Sequence, residues 1–212
     1  MSEHAEHFAS RAQQTHAARL GIWLFLASET LLFAALVALY IASRAGNVAA
    51  FDEGVRHMNL ALGSINTFVL LTSSLVVALS LPALRAARPR VAAACTGLAV
   101  LMGAAFLVLK LREYQLHWHE GIYPGGRGAF FATHPTHGLG LFFTLYYLLT
   151  GLHALHVIAG MAALAWASVA VLRGSITPGR EHPLEFVALY WHLVDVVWIF
   201  LWPMLYLVGG HA

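Results

Sequence analysis

Charge is scarce in this sequence. Asp, Glu, Lys and Arg make up 10% of the 212 residues, against 59% hydrophobic residues and a mean hydropathy of +0.70. Soluble domains carry about 25% charged residues. A large soluble domain is therefore excluded, and the chain reads as an integral membrane protein. The formal net charge is only +2, so no basic field points to nucleic acid. One cysteine, Cys95, excludes an internal disulfide and a thiolate metal framework. In its apolar run it reads as a small buried hydrophobe. There is no Gly-rich phosphate loop and no Cys-x-x-Cys, and no nucleophile–base–orienter set. No convincing repeat or low-complexity tract occurs. A cleavable signal is not expected either. The opening residues are polar, and the apolar run after them is too long for a signal h-region, so it reads as a signal-anchor.

What the chain does have is long apolar runs. They cover about Leu20 to Ala42, Leu60 to Leu81 (ending at Pro82), Val91 to Leu111, Leu139 to Leu172, and Leu184 to Gly209. About twenty residues at ~1.5 Å each cross a ~30 Å hydrocarbon slab. The expected fold is all-α, a polytopic bundle of five transmembrane helices. Residues 1–19 are expected to be a polar N-terminal tail with His4, His7 and His16, and residues 20–212 the five-helix domain. A polar loop with Asp52, Glu53 and Arg56 should follow the first span. Lys110 and Arg112 are expected at an interface where long basic chains snorkel. The longest loop, about Gln115 to His137, carries His117, His119, His134 and His137, read as solvated.

Five spans place the two ends on opposite sides. Arg11, Arg19, Arg85, Arg88, Arg90, Arg173 and Arg180 fall on one side, and Arg44, Arg56, Lys110, Arg112 and Arg127 on the other. Short basic loops stay cytoplasmic. The compact Arg85/Arg88/Arg90 cluster therefore puts the N-terminus in the cytoplasm and the C-terminus outside.

Few polar residues interrupt the spans. Glu29 falls near mid-depth of the first, where a charged side chain costs about 2.5–3.5 kcal/mol on insertion scales. The chain must shield it, protonate it or use it. Two readings stay open: a hydrogen-bonded packing acid, or a carboxyl on or beside a proton route. His153 and His156 are three apart and so neighbour each other on one helix face. His192 and Asp195 share that spacing, and Glu185 lies two turns before His192. Two His and a carboxylate can bind iron or zinc, but the Glu-x-x-His pattern of a di-iron bundle is absent. Another reading pairs a His on one helix with the Asp on the next, since lipid offers no partner. A third is a polar patch meeting another subunit or a lipid head group.

At these residues the chain resembles a known family. Gly21-Ile-Trp-Leu-Phe-Leu-Ala-Ser-Glu29 with Leu32-Phe33, and Asn66-Thr67 with Leu71-Thr72-Ser73-Ser74, look like consecutive helices of haem–copper oxidase subunit III. Lys110-Leu-Arg-Glu113-Tyr114 resembles the end of the next helix. Thr150-Gly-Leu-His153-Ala-Leu-His156-Val-Ile-Ala-Gly160 and Tyr190-Trp-His192-Leu-Val-Asp195-Val-Val-Trp198 resemble the last two. The match runs in order along nearly the whole chain. Longer members have seven spans, and this chain looks like the last five. The lipid-holding cleft, built partly from the two missing helices, is thereby placed in doubt.

The resemblance implies an accessory subunit of a proton-pumping terminal oxidase in a bacterial plasma membrane. That complex reduces O2 to water at haem and copper held by partner subunits. This chain would hold no metal and no catalytic residue. It would pack on subunit I, with subunit II and cytochrome c as partners at complex level, and would bind phospholipid. Glu29 takes the position of the family's buried glutamate. Glu113, His153, His156, Glu185, His192 and Asp195 take inter-helix polar or lipid-contact positions. A quinol oxidase subunit, a companion of nitric oxide reductase, a stand-alone proton-coupled transporter using Glu29, and a cytochrome ligated by His153 or His156 remain as alternatives.

Overall fold

The computed structural model describes residues 11–209; His4 and His7 lie outside them. The order is α1 (Arg11–Ala45), α2 (Val48–Arg56), α3 (Leu60–Arg85), α4 (Pro89–His119), α5 (Ala129–Thr133), α6 (Leu139–Leu172) and α7 (His182–Tyr206). No strand occurs among the described residues, and five of these helices, α1, α3, α4, α6 and α7, are long and apolar enough to cross a membrane. The fold is the expected all-α bundle.

The bundle is apolar on the outside and mixed on the inside. Leu24, Leu31, Phe68, Leu75, Leu101, Leu155 and Phe200 are exposed, whereas Asn66, Ser73, Lys110, Glu113, Thr150, His153 and Asp195 are buried. In water this arrangement would be costly. In hydrocarbon it follows, because outward polar groups find no partner there. Helices α3, α4, α6 and α7 form the packed core, and α1 lies at its edge against α6 and α7.

Several boundaries differ from the sequence reading. Helix α1 already includes Arg11, the first of the described residues, and so extends beyond the apolar run. Helix α3 continues past Pro82 to Arg85. A proline so near the end removes one donor and leaves the last turn intact. The loop expected around Asp52 is helix α2. Its Phe51 and Val55 are buried, and Phe51 meets Tyr40 and Phe142 edge-on. Helix α4 runs on to His119 and stops where Gly121 adopts φ +76°, a glycine stop. With 34 residues, α6 reaches ~51 Å at ~1.5 Å per residue, beyond the hydrocarbon slab. Cys95 is a free thiol, half-buried where a small buried hydrophobe is expected.

Two glycines, one on α4 and one on α6, make room for the Trp191 side chain of α7. A Cβ on Gly103 would lie 2.9 Å from Trp191, and one on Gly160 would lie 2.8 Å from the same indole. Trp191 therefore wedges between two bare backbone surfaces, as small residues permit in membrane bundles. Gly160→Leu should cost about 1–3 kcal/mol by overpacking. It should appear as a lowered thermal unfolding midpoint in detergent, with Gly160→Ala intermediate. An unchanged midpoint in Gly160→Leu would contradict this packing.

The two ends of the bundle are tied differently. At one, Arg44 donates to Asp52 at 2.6 Å and to the Val208 carbonyl at 2.9 Å, joining α1, α2 and the chain after α7. At the other, Arg85 donates to Glu181 at 3.2 Å, joining the end of α3 to the start of α7.

Candidate functional site

Glu29 and His156 meet between α1 and α6. Glu29 Oε2 lies 2.9 Å from His156 Nε2, with the carboxyl side chain 19% and the imidazole 15% exposed. The other ring nitrogen, Nδ1, lies 2.8 Å from the Leu152 carbonyl oxygen. A carbonyl oxygen only accepts, so Nδ1 carries a hydrogen. In a neutral ring Nε2 is then a bare acceptor facing a second acceptor. The contact holds only if one proton sits between them, on the carboxyl or on Nε2. Either arrangement leaves the pair neutral overall. That is how a carboxyl is tolerated at this depth without a separate counter-ion. Phe33 closes the pair edge-on, 5.0 Å from the His156 ring.

His153 lies on the same side of α6 but turns inward. Its ring sits 5.1 Å from Trp198, 5.6 Å from Phe106 and 6.4 Å from Phe33. The expected His–Asp pair between neighbouring helices does not form. Both ring nitrogens of His153 are buried with no hydrogen-bond partner in the protein, and buried Asp195 has the Ser74 hydroxyl of α3, not His153, beside its carboxyl. His192 instead bonds across to α3, where Ser74 Oγ lies 2.6 Å from its Nδ1. Glu185 also departs from the inter-helix reading. It sits in the first turn of α7 and lies 3.3 Å from His182, one turn away on its own helix.

The most deeply buried ionic group, Lys110 with Glu113, lies where the sequence pattern puts an interface. Lys110, expected to snorkel, is 2% exposed. Its ammonium donates to Glu113 at 2.9 Å, Tyr146 Oη at 2.9 Å and Tyr206 Oη at 2.7 Å. Tyr206 in turn donates to both Glu113 oxygens at 2.8 Å. The rings of Tyr114, Tyr146, Trp198 and Tyr206 surround the ammonium at 4.5–5.5 Å, within cation–π range. All three ammonium hydrogens are used. The cage joins α4, α6 and α7 and leaves no open position for a ligand. Lys110 lies inside because α4 continues two turns beyond the apolar run, to His119. Buried by that same extension, His117 packs against Phe143, Tyr146 and Tyr147 instead of facing solvent. His119 and His137 are exposed, and His134 is half-buried, stacked on Phe130.

No group of three or more His, Cys, Asp or Glu among the described residues is placed to hold a metal ion. Fold and interior together define a class: a five-span membrane bundle holding an acid–imidazole pair and a caged ion pair. A family model described as cytochrome c oxidase subunit III matches residues 3–210. Among curated proteins, the cytochrome c oxidase subunit 3 of Bacillus subtilis is 35% identical over 194 residues, 90% of this chain and 86% of that protein. A quinol oxidase subunit 3 of Bacillus spizizenii is 29% identical over 215 residues, 98% of each chain. The cytochrome c oxidase subunit 3 of Corynebacterium diphtheriae is 30% identical over 195 residues, 89% of this chain and 87% of that protein. This chain belongs to the cytochrome c oxidase subunit III family of haem–copper oxidases.

Proposed function

We propose that this chain is the accessory, cofactor-free subunit III of a bacterial cytochrome c oxidase. It packs on the catalytic subunit, with subunit II alongside, and keeps that subunit active through turnover. Haem and copper belong to those partners, and phospholipid is a further ligand of the assembly. The observation that carries the proton part is the Glu29–His156 contact, which requires one proton at any moment. A pair that must hold a proton, yet can hold it at either end, suits a group beside a proton-uptake route. Glu29 is the proton-bearing acid in this reading, and His156 positions it. Glu113 and His192 are interior polar groups that tie helices together, His153 and Asp195 are buried polar groups in the same interior, and Glu185 lies near the lipid head groups.

The cytoplasmic N-terminus and outer C-terminus follow the same reading. With Lys110 inside the bundle, the remaining basic residues divide seven to four in favour of the proposed cytoplasmic side.

One alternative has an observation of its own. Similarity to a quinol oxidase subunit 3 spans 98% of both chains. The electron donor decides between them. The assembly purified through a tag on this chain should consume O2 with reduced cytochrome c. Activity with a quinol and none with cytochrome c would overturn the cytochrome c reading and favour the alternative.

A further inference from the structure

Two histidines away from the acid–imidazole pair meet at one end of the bundle. His57 is the residue after α2, and His134 the residue after α5. Their ring centroids lie 5.2 Å apart, with the planes at 85°. Phe130 touches both, stacked on His134 at 4.2 Å and edge-on to His57 at 4.9 Å. His57 also lines an open cavity of about 460 Å³ with Glu120, Ala129, Phe130 and Thr133.

The same device fixes both rings in one tautomer. His57 Nδ1 lies 2.8 Å from the carbonyl oxygen of Glu53, four residues back in α2. His134 Nδ1 lies 3.1 Å from the carbonyl oxygen of Phe130, four residues back in α5, and 3.0 Å from Thr133 Oγ1. The Thr133 hydroxyl already donates to that same carbonyl. Carbonyl oxygens only accept, so each Nδ1 carries the hydrogen and each neutral ring keeps a bare Nε2. Neither Nε2 is hydrogen-bonded among the described residues. An imidazole whose N–H is held by a carbonyl while its other nitrogen stays open is set up as a metal ligand. The spacing agrees: bonds of about 2.0–2.1 Å to two imidazoles on a tetrahedral ion put the ring centroids about 5 Å apart. No three-ligand group stands ready among the described residues, so the protein supplies two nitrogens. Glu120, on the same cavity, is a carboxylate that side-chain rotation could add, whereas Glu53 is engaged by the Thr136 hydroxyl. Imidazole ligands suit zinc, while magnesium and calcium take oxygens.

We infer that His57 and His134 form a two-imidazole site for a zinc ion, which clamps the end of α2 to the end of α5. The ion is a mechanical tie and carries no electrons. The site is separate from the Glu29–His156 pair, from the Lys110 cage and from the haem and copper of the partner subunits. In the orientation proposed above this end of the bundle faces outward, where added ions reach it without crossing the membrane. The site stands whichever electron donor the complex uses.

The test is a zinc chloride titration of the whole assembly in mild detergent, followed by calorimetry. Wild type is compared with His57→Ala, His134→Ala and the double variant, and with His16→Ala, which removes an exposed histidine at the other end of α1. Wild type and His16→Ala should bind one zinc per copy of this chain that the other three variants lose or hold at least tenfold more weakly. The double variant should lose no more than either single variant, because both rings serve one ion. Unchanged binding in His57→Ala or His134→Ala would overturn the inference, as would an equal loss in His16→Ala. If those variants do not assemble, an electron cryo-microscopy map of the wild-type assembly at saturating zinc decides. Density is expected about 2.0–2.1 Å from both Nε2 atoms. A map with no ion between the two rings would overturn the inference.

Discussion

Lys110→Met should destabilise the bundle by about 3–5 kcal/mol, the cost of removing one partner from a buried ion pair. The methionine matches the aliphatic stem in length and keeps the packing. What it loses is the ammonium that answers Glu113, Tyr146 and Tyr206 at once. Glu113 would keep the Tyr206 hydroxyl as a donor but would have no cation in a site 1% exposed. Removing both charges, in Lys110→Met with Glu113→Leu, should recover most of the loss. Replacing a buried pair by apolar groups is often neutral. The measurement is the thermal unfolding midpoint in detergent of the single and the double variant. A silent single variant would mean that the cage does not hold α4, α6 and α7 together. A double variant worse than the single one would locate the stability in the tyrosine hydroxyls instead.

Glu29→Gln should leave assembly intact and change turnover. The glutamine amide donates to His156 Nε2 while Nδ1 still donates to the Leu152 carbonyl. The hydrogen-bond geometry therefore survives, and the stability change should stay within the ~0.5–1.5 kcal/mol of one neutral bond. The shared proton is gone, because the amide keeps its hydrogens. If the pair assists proton uptake, the initial rate of the oxidase should fall, or its activity should decay faster during turnover. A time course indistinguishable from wild type at several pH values would reduce Glu29 to packing. Glu29→Ala separates the two roles from the other side. It leaves Nε2 facing a void, so it should lower the melting midpoint as well as the rate.

The spans were legible because membrane helices must be long and apolar, and five runs satisfied both conditions. Helix α2 was hidden because its charges, Asp52, Glu53 and Arg56, dominate the local composition. Its helical form depends on Phe51 meeting Tyr40 and Phe142, residues distant in sequence. The paired face of His153 and His156 could be read from the three-residue spacing. Their partners could not. Which side chain lies opposite depends on the depth at which antiparallel helices align, and spacing within one helix carries no such register. Hence Glu29 met His156, while Asp195 and His153 stayed apart. Lys110 shows the same limit. Its side chain reads as interfacial when the apolar run is taken as the helix, and as interior once α4 is seen to extend to His119.

Interior acids and bases of this kind make sense in a chain that works inside a larger redox assembly. The direct check is size-exclusion chromatography of the tagged chain in mild detergent, with haem absorbance followed across the elution. The account predicts that chain, haem absorbance and O2 consumption migrate as one peak well above 23.0 kDa. A folded chain that elutes without haem and drives proton flux by itself in vesicles would contradict it.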